Sequence, residues 1–74
     1  MVKKKIVIAF CERVRKLRKE KGISQEELSF RADLHRTYIG MIERGEKNIT
    51  IVNIEKIAKA LEVFIEKLIS GLEK

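Results

Sequence analysis

The sequence predicts an all-α fold, a compact five-helix bundle, and three observations carry that expectation. Apolar residues recur at helical spacing along the chain, and no alternating strand pattern persists. Proline is absent. Glycines and capping residues then divide the chain at Gly22–Ser24, around Asp33–His35, at Gly45–Thr50 and at Glu62–Val63.

The first helix is expected from about Lys4 to Lys21. Phe10, Val14 and Leu17 form its apolar stripe and Ile6 extends the stripe backwards. Gly22 stops it after a lysine-rich last turn. Ser24-Gln25-Glu26-Glu27 reads as a capping box opening the second helix, with Ile23 and Leu28 as a hydrophobic staple. Leu28 and Ala32 face inward, and Asp33 takes a left-handed backbone at the helix end, a geometry aspartate tolerates better than most residues. Leu34 is expected to be buried in the turn. The third helix runs from about Arg36 to Arg44, with Ile39 and Ile42 inward and Gly45 ending it. Thr50 caps a fourth helix whose core face is Ile54, Ile57, Ala58 and Leu61. A short last helix runs from Phe64 to about Ser70 with Leu68 and Ile69 inward, and Gly71 ends it.

The 74 residues make one domain, 1–74. A domain this small buries only roughly 60% of its unfolded surface. One cysteine, Cys11, rules out an internal disulfide, and one histidine, His35, rules out a Cys/His metal cage. A homodimer is the remaining source of burial. Cys11 is expected to be a reduced, buried thiol in a cytoplasmic protein. No apolar run reaches the ~18 residues of a membrane span. The segment Ile6–Phe10 after three lysines is too short for a signal peptide, and Cys11-Glu12-Arg13 stands where a cleavage site would be.

The net charge is +6 and unevenly placed. Residues 1–22 hold nine basic and two acidic side chains, whereas residues 23–74 hold eight and nine. One positive face follows, suited to nucleic acid or simply to solvent. An enzyme is disfavoured, because there is no catalytic carboxylate pair in an apolar pocket and no phosphate-cradling glycine loop. No cofactor and no small-molecule effector is indicated.

Two short helices joined by a tight turn outline a helix-turn-helix. Ile23-Ser24-Gln25-Glu26-Glu27-Leu28 through Leu34, then Ile39 and Ile42-Glu43-Arg44-Gly45, resembles the Cro/phage-repressor-like (XRE) helix-turn-helix family, from about Phe10 to Gly71. Arg36-Thr37-Tyr38-Ile39 followed by Ile42-Glu43-Arg44-Gly45-Glu46-Lys47-Asn48 is most similar to the controller proteins of restriction–modification systems. Short repressors of phages, plasmids and antitoxin loci share much of this pattern. The chain departs from it at Asp33, where the family usually has glycine, and at Phe64-Ile65, where it often has a small polar cap.

The resemblance implies a lambda-repressor-like fold and a transcription regulator that binds a double-stranded, near-palindromic DNA operator as a homodimer. In such motifs the second helix enters the major groove and its first residues reach base edges. Here these are Arg36, able to donate two bonds to guanine, and Thr37, with Met41 one turn on. Gly40 either keeps a side chain away from DNA or permits close helix packing. Gln25, Tyr38, Arg44, Lys47 and Asn48 are expected at phosphates. Arg18 and Glu43 are implied to pair, locking the first helix to the third, and His35 to cap the reading helix or lie beside a phosphate. Phe64 and Ile65, with Ile49, Ile51 and Val52, exceed what the core requires and are expected to form the dimer interface. The competing reading is a protein-interaction module that has kept the fold and lost DNA binding.

Overall fold

The segments marked by caps and glycines are the helices of the computed structural model, which describes residues 4–73: α1 (Lys5–Lys21), α2 (Gln25–Ala32), α3 (Arg36–Glu43), α4 (Ile51–Ala60) and α5 (Ile65–Ile69). Lys3, first of the three N-terminal lysines, lies outside the described residues. The boundaries follow from side-chain chemistry. The Ser24 and Thr50 hydroxyls accept the backbone N–H groups of Glu27 and Asn53 at 3.0 and 3.2 Å. His35 does the same through Nδ1, taking the N–H of Thr37 at 3.0 Å. Each occupies one of the donors that a helix start leaves without an internal partner. At the other ends, Gly22 (φ 75°) and Asp33 (φ 57°) take the left-handed conformation that turns the chain back.

The core draws one fully buried side chain from every helix. Val14, Leu28, Ile39, Ile57 and Leu68 are each 0% exposed, and Phe10, Leu17, Ala32, Ile42, Ala58, Ala60 and Leu61 surround them. Ile23, Leu34 and Ile54 pack against this centre half-buried, and the lone Cys11 is buried with its thiol directed to the Ile8 carbonyl. α2 and α3 pack together, α2 also meets α4, and α1 lies across α3 and α5.

Several expectations need correction. Ile6 does not extend the buried stripe of α1: it is 52% exposed, because the stripe ends at Phe10 where the other helices no longer cover it. Phe64 precedes α5 as its N-terminal flank, and Ile69 is 44% exposed, so Leu68 alone buries that helix. Ile65 and Ile49, expected at the dimer interface, pack in part against this chain's own core and keep the rest of their surface open. A helix of five residues turns less than one and a half times and can bury a single position fully. The capping box is one-sided, since the Glu27 carboxylate turns to Arg31 at 2.8 Å.

Two long-range contacts fasten the C-terminal part. Arg13 donates from Nη1 to the Lys67 carbonyl (2.7 Å) and from Nη2 to the Ser70 carbonyl (2.8 Å), occupying acceptors that the end of α5 leaves open. Lys21, at the end of α1, pairs with Glu62 in the α4–α5 connection. The hydrogen bond and charge of Lys21 hold the Glu62 carboxyl below its ordinary range. The small stabilisation from this exposed pair is therefore present above the ordinary carboxylate range and is lost as pH falls through the lowered value.

Asp33 holds a left-handed backbone with a carboxylate at the negative end of α2. Asp33→Gly relieves both and is expected to raise unfolding free energy in urea by about 1 kcal/mol, less the extra chain entropy of glycine.

Candidate nucleic-acid interface

Glu43 ends α3 and is only 1% exposed. Its carboxylate has three donors: Arg18 Nε to Oε2 at 2.7 Å, Arg18 Nη2 to Oε1 at 3.0 Å, and Gln25 Nε2 to Oε1 at 3.1 Å. The same guanidinium donates from Nη1 to the Ile23 carbonyl at 2.9 Å, and Arg15 Nη1 reaches the Glu43 carbonyl at 3.0 Å. One buried charge pair thus ties α1, the α1–α2 turn, α2 and α3 together. The planar guanidinium fits this task because it can bond two oxygens and a third acceptor at once. Among the described residues no buried side-chain nitrogen or oxygen lacks a partner.

With α3 pinned at its far end, its start is presented to solvent. His35, Arg36 and Thr37 are exposed, and Met41 one turn on is half-buried. Arg36 Nη1 lies 3.5 Å from Glu26 Oε2, an exposed pair across α2 and α3. Gly40 is buried, and a Cβ there would lie 3.1 Å from Arg44 Nη1 and 3.8 Å from Gln25 Oε1, the ends of two flexible side chains. Both polar side chains therefore lie across the glycine, over α3. Gln25 spends one amide N–H on Glu43, so the start of α2 and the buried pair share a residue.

On the other flank, the Tyr38 ring packs half-buried against the core while its hydroxyl accepts a hydrogen bond from Asn53 Nδ2 at 2.9 Å. Arg44 is exposed, with Nε 3.1 Å from Glu46 Oε2, and Lys47 and Asn48 stand exposed in the following loop. The residues expected at bases and phosphates thus come from the start of α2, the start and end of α3 and the loop after it. Glu26, Arg15 and Asn53 join them without a sequence expectation. Arg15 stands three residues before Arg18, on the same helical face, which is a usable signal. Nothing in the sequence links Asn53 to Tyr38 across fifteen positions.

Two apolar surface regions lie beside recesses, and Phe30 on α2, 82% exposed, lines neither. Phe64 is 86% exposed beside an open cleft of ≈ 570 Å³ whose other lining is mostly charged, including Arg13, Lys16, Glu20 and Glu66. A separate, more apolar recess of ≈ 490 Å³ is lined by Ile6, Phe10, Ile49, Ile54, Ile69 and Leu72, among others. Ile51 and Val52, in the first turn of α4 between two of those residues, are exposed. No helix is long and apolar enough to cross a membrane, and no group of three metal-ligating side chains occurs among the described residues.

Arg18→Ala leaves the Glu43 carboxylate buried without its cation. The variant is expected to lose about 3 kcal/mol of unfolding free energy in urea. Replacing both partners, as Arg18→Met with Glu43→Leu, is expected to recover most of that loss, and the same titration reads both.

The Helix-turn-helix family profile matches residues 14–68, from the middle of α1 to Leu68. The control protein C.BamHI of Bacillus amyloliquefaciens is 54% identical over 59 residues, 78% of this chain and 73% of that protein. The control protein C.MunI of a Mycoplasma species is 44% identical over 70 residues, 93% of this chain and 95% of that protein. Among solved structures, the restriction–modification controller protein C.Esp1396I, crystallised as a tetramer in complex with its natural 35-base-pair operator, superposes with a TM-score of 0.82 at 40% identity, over 93% of this chain and 96% of that one. A family match from the middle of α1 into α5 and control proteins aligned over 78% and 93% of this chain place it in the Helix-turn-helix family and, within it, among the restriction–modification controller proteins, which are DNA-binding transcription regulators and not enzymes.

Proposed function

We propose that this chain binds a near-palindromic operator as a homodimer in the bacterial cytoplasm and controls restriction–modification genes, with residues 1–74 acting as one DNA-binding and dimerising unit. The observation that carries this reading is the pinned α3 with Arg36 and Thr37 exposed at its start. Arg36 donates two bonds to guanine O6 and N7, Thr37 meets a neighbouring base edge, and Met41 contacts a thymine methyl. Gln25, Tyr38, Arg44, Lys47 and Asn48 hold phosphates, Gln25 and Arg44 from side by side over Gly40.

The tetramer of the relative on its operator supports assembly of more than one copy on DNA. For the pairing surface, we favour the first turn of α4 over Phe64. Interface cores are depleted in charge, and charged side chains surround Phe64, whereas Ile51 and Val52 stand two positions from Ile49 and Ile54, respectively, of the more apolar recess. Ile49 and Ile65 contribute the part of each side chain that the core leaves open. Such a dimer sets the two α3 helices about 34 Å apart, one turn of DNA.

Footprinting on the DNA upstream of the chain's own gene is expected to protect half-sites about one turn apart, and protection without such spacing rejects the dimeric reading. Arg36→Ala is expected to cost about 1–3 kcal/mol of operator binding and to relax preference at one base pair per half-site. Lys47→Ala instead lowers the salt slope by about 0.9 for each phosphate that the lysine neutralises, without changing base preference. Ile51→Glu with Val52→Glu is expected to sediment as a monomer, and a variant that stays dimeric moves the interface elsewhere.

A further inference from the structure

We infer that Asn53 is a positioning residue for DNA binding, acting through Tyr38 by setting which way the phenolic proton points. This rests on the reading above that Tyr38 meets a phosphate. A phenol has one O–H donor and lone pairs that accept. Asn53 Nδ2 donates to the Tyr38 oxygen at 2.9 Å, so the amide occupies an acceptor position and leaves the O–H free to point elsewhere. A phosphate oxygen is an acceptor only. It is attracted by that O–H and repelled by lone pairs, and a hydroxyl that accepts one bond donates a stronger one.

The ring of Tyr38 and the backbone of Asn53 are both held in place. The Tyr38 ring is packed against the core, and Asn53 is held by its backbone N–H on the Thr50 hydroxyl at 3.2 Å. The bond spans from α3 to α4 and is partly buried, so water competes with it less than on an open surface. Asparagine is suited to the position because its amide can donate. Aspartate has the same shape and only accepts, so the phenol would turn its proton inward and present lone pairs to the DNA.

The test measures operator affinity by fluorescence anisotropy, at low and high salt, for the parent chain, Tyr38→Phe, Asn53→Asp, Asn53→Ala and the two double variants, with urea unfolding of each as a folding control. Tyr38→Phe is expected to weaken binding about threefold to tenfold, the scale of one hydrogen bond. Asn53→Asp is expected to weaken it tenfold or more when Tyr38 is present. In the Tyr38→Phe background it loses only the part caused by added negative charge, which fades as salt rises. Asn53→Ala falls between, since water can donate in place of the amide. An equal loss from Asn53→Asp in both backgrounds at high salt overturns the inference while leaving Tyr38 at a phosphate. An unchanged affinity for Tyr38→Phe overturns the reading of Tyr38 itself, and the inference with it.

Discussion

The Arg18–Glu43 pair is the interaction on which the other parts depend. A buried carboxylate is tolerated only when donors surround it, and Glu43 has three. Meeting that need fixes more than one contact. The guanidinium also reaches the Ile23 carbonyl, which sets the α1–α2 turn, and Gln25 leans inward, which sets the start of α2. The orientation of α3 relative to α1 and α2 follows. A pair of apolar side chains of equal volume would stabilise the fold as well or better, but without a preferred angle between the helices. Here the angle matters, because the same helix carries Arg36 and Thr37 at its other end.

The positive charge is distributed with restraint. Arg36 has Glu26 beside it and Arg44 has Glu46. Arg18 and Arg15 are turned inward onto Glu43, and Arg13 onto the end of α5. Much of the basic excess in the first third of the chain therefore serves the fold. Charge count is a coarse guide to a DNA surface when so many guanidinium groups are structural. The acidic neighbours also lower non-specific attraction to any polyanion, which favours discrimination between DNA sequences over simple affinity.

The helices and their ends were legible because each is marked locally. Ser24, Thr50 and Gly22 act within four residues of their own position, and Asp33 could be placed by the same logic. The central residues of the core were legible too, since Val14, Leu28, Ile39 and Ile57 lie on clear stripes. The last helix was not. Over five residues a helical period cannot rank one face above another, and Ile65 and Ile69 exchanged their expected environments. At the site, Arg36 and Thr37 were placed by the motif, but the side chains that lean on its members were not. That the Gln25 and Arg44 side chains lie across Gly40 was not legible either. Glu26 and Asn53 meet their partners only after folding, so no short-range pattern announces them.

The five side chains at the centre of the core come one from each helix. No group of helices keeps a complete interior without the rest, and α5 is too short to persist alone. A single shared interior of this size favours unfolding as one cooperative transition. In a cell, a protease then meets either the intact domain or a fully open chain, so the lifetime of the protein is coupled to its global stability. Partners that bind the folded form, DNA or a second copy, lengthen that lifetime by mass action. Occupancy and abundance become linked through the packing of a single small interior.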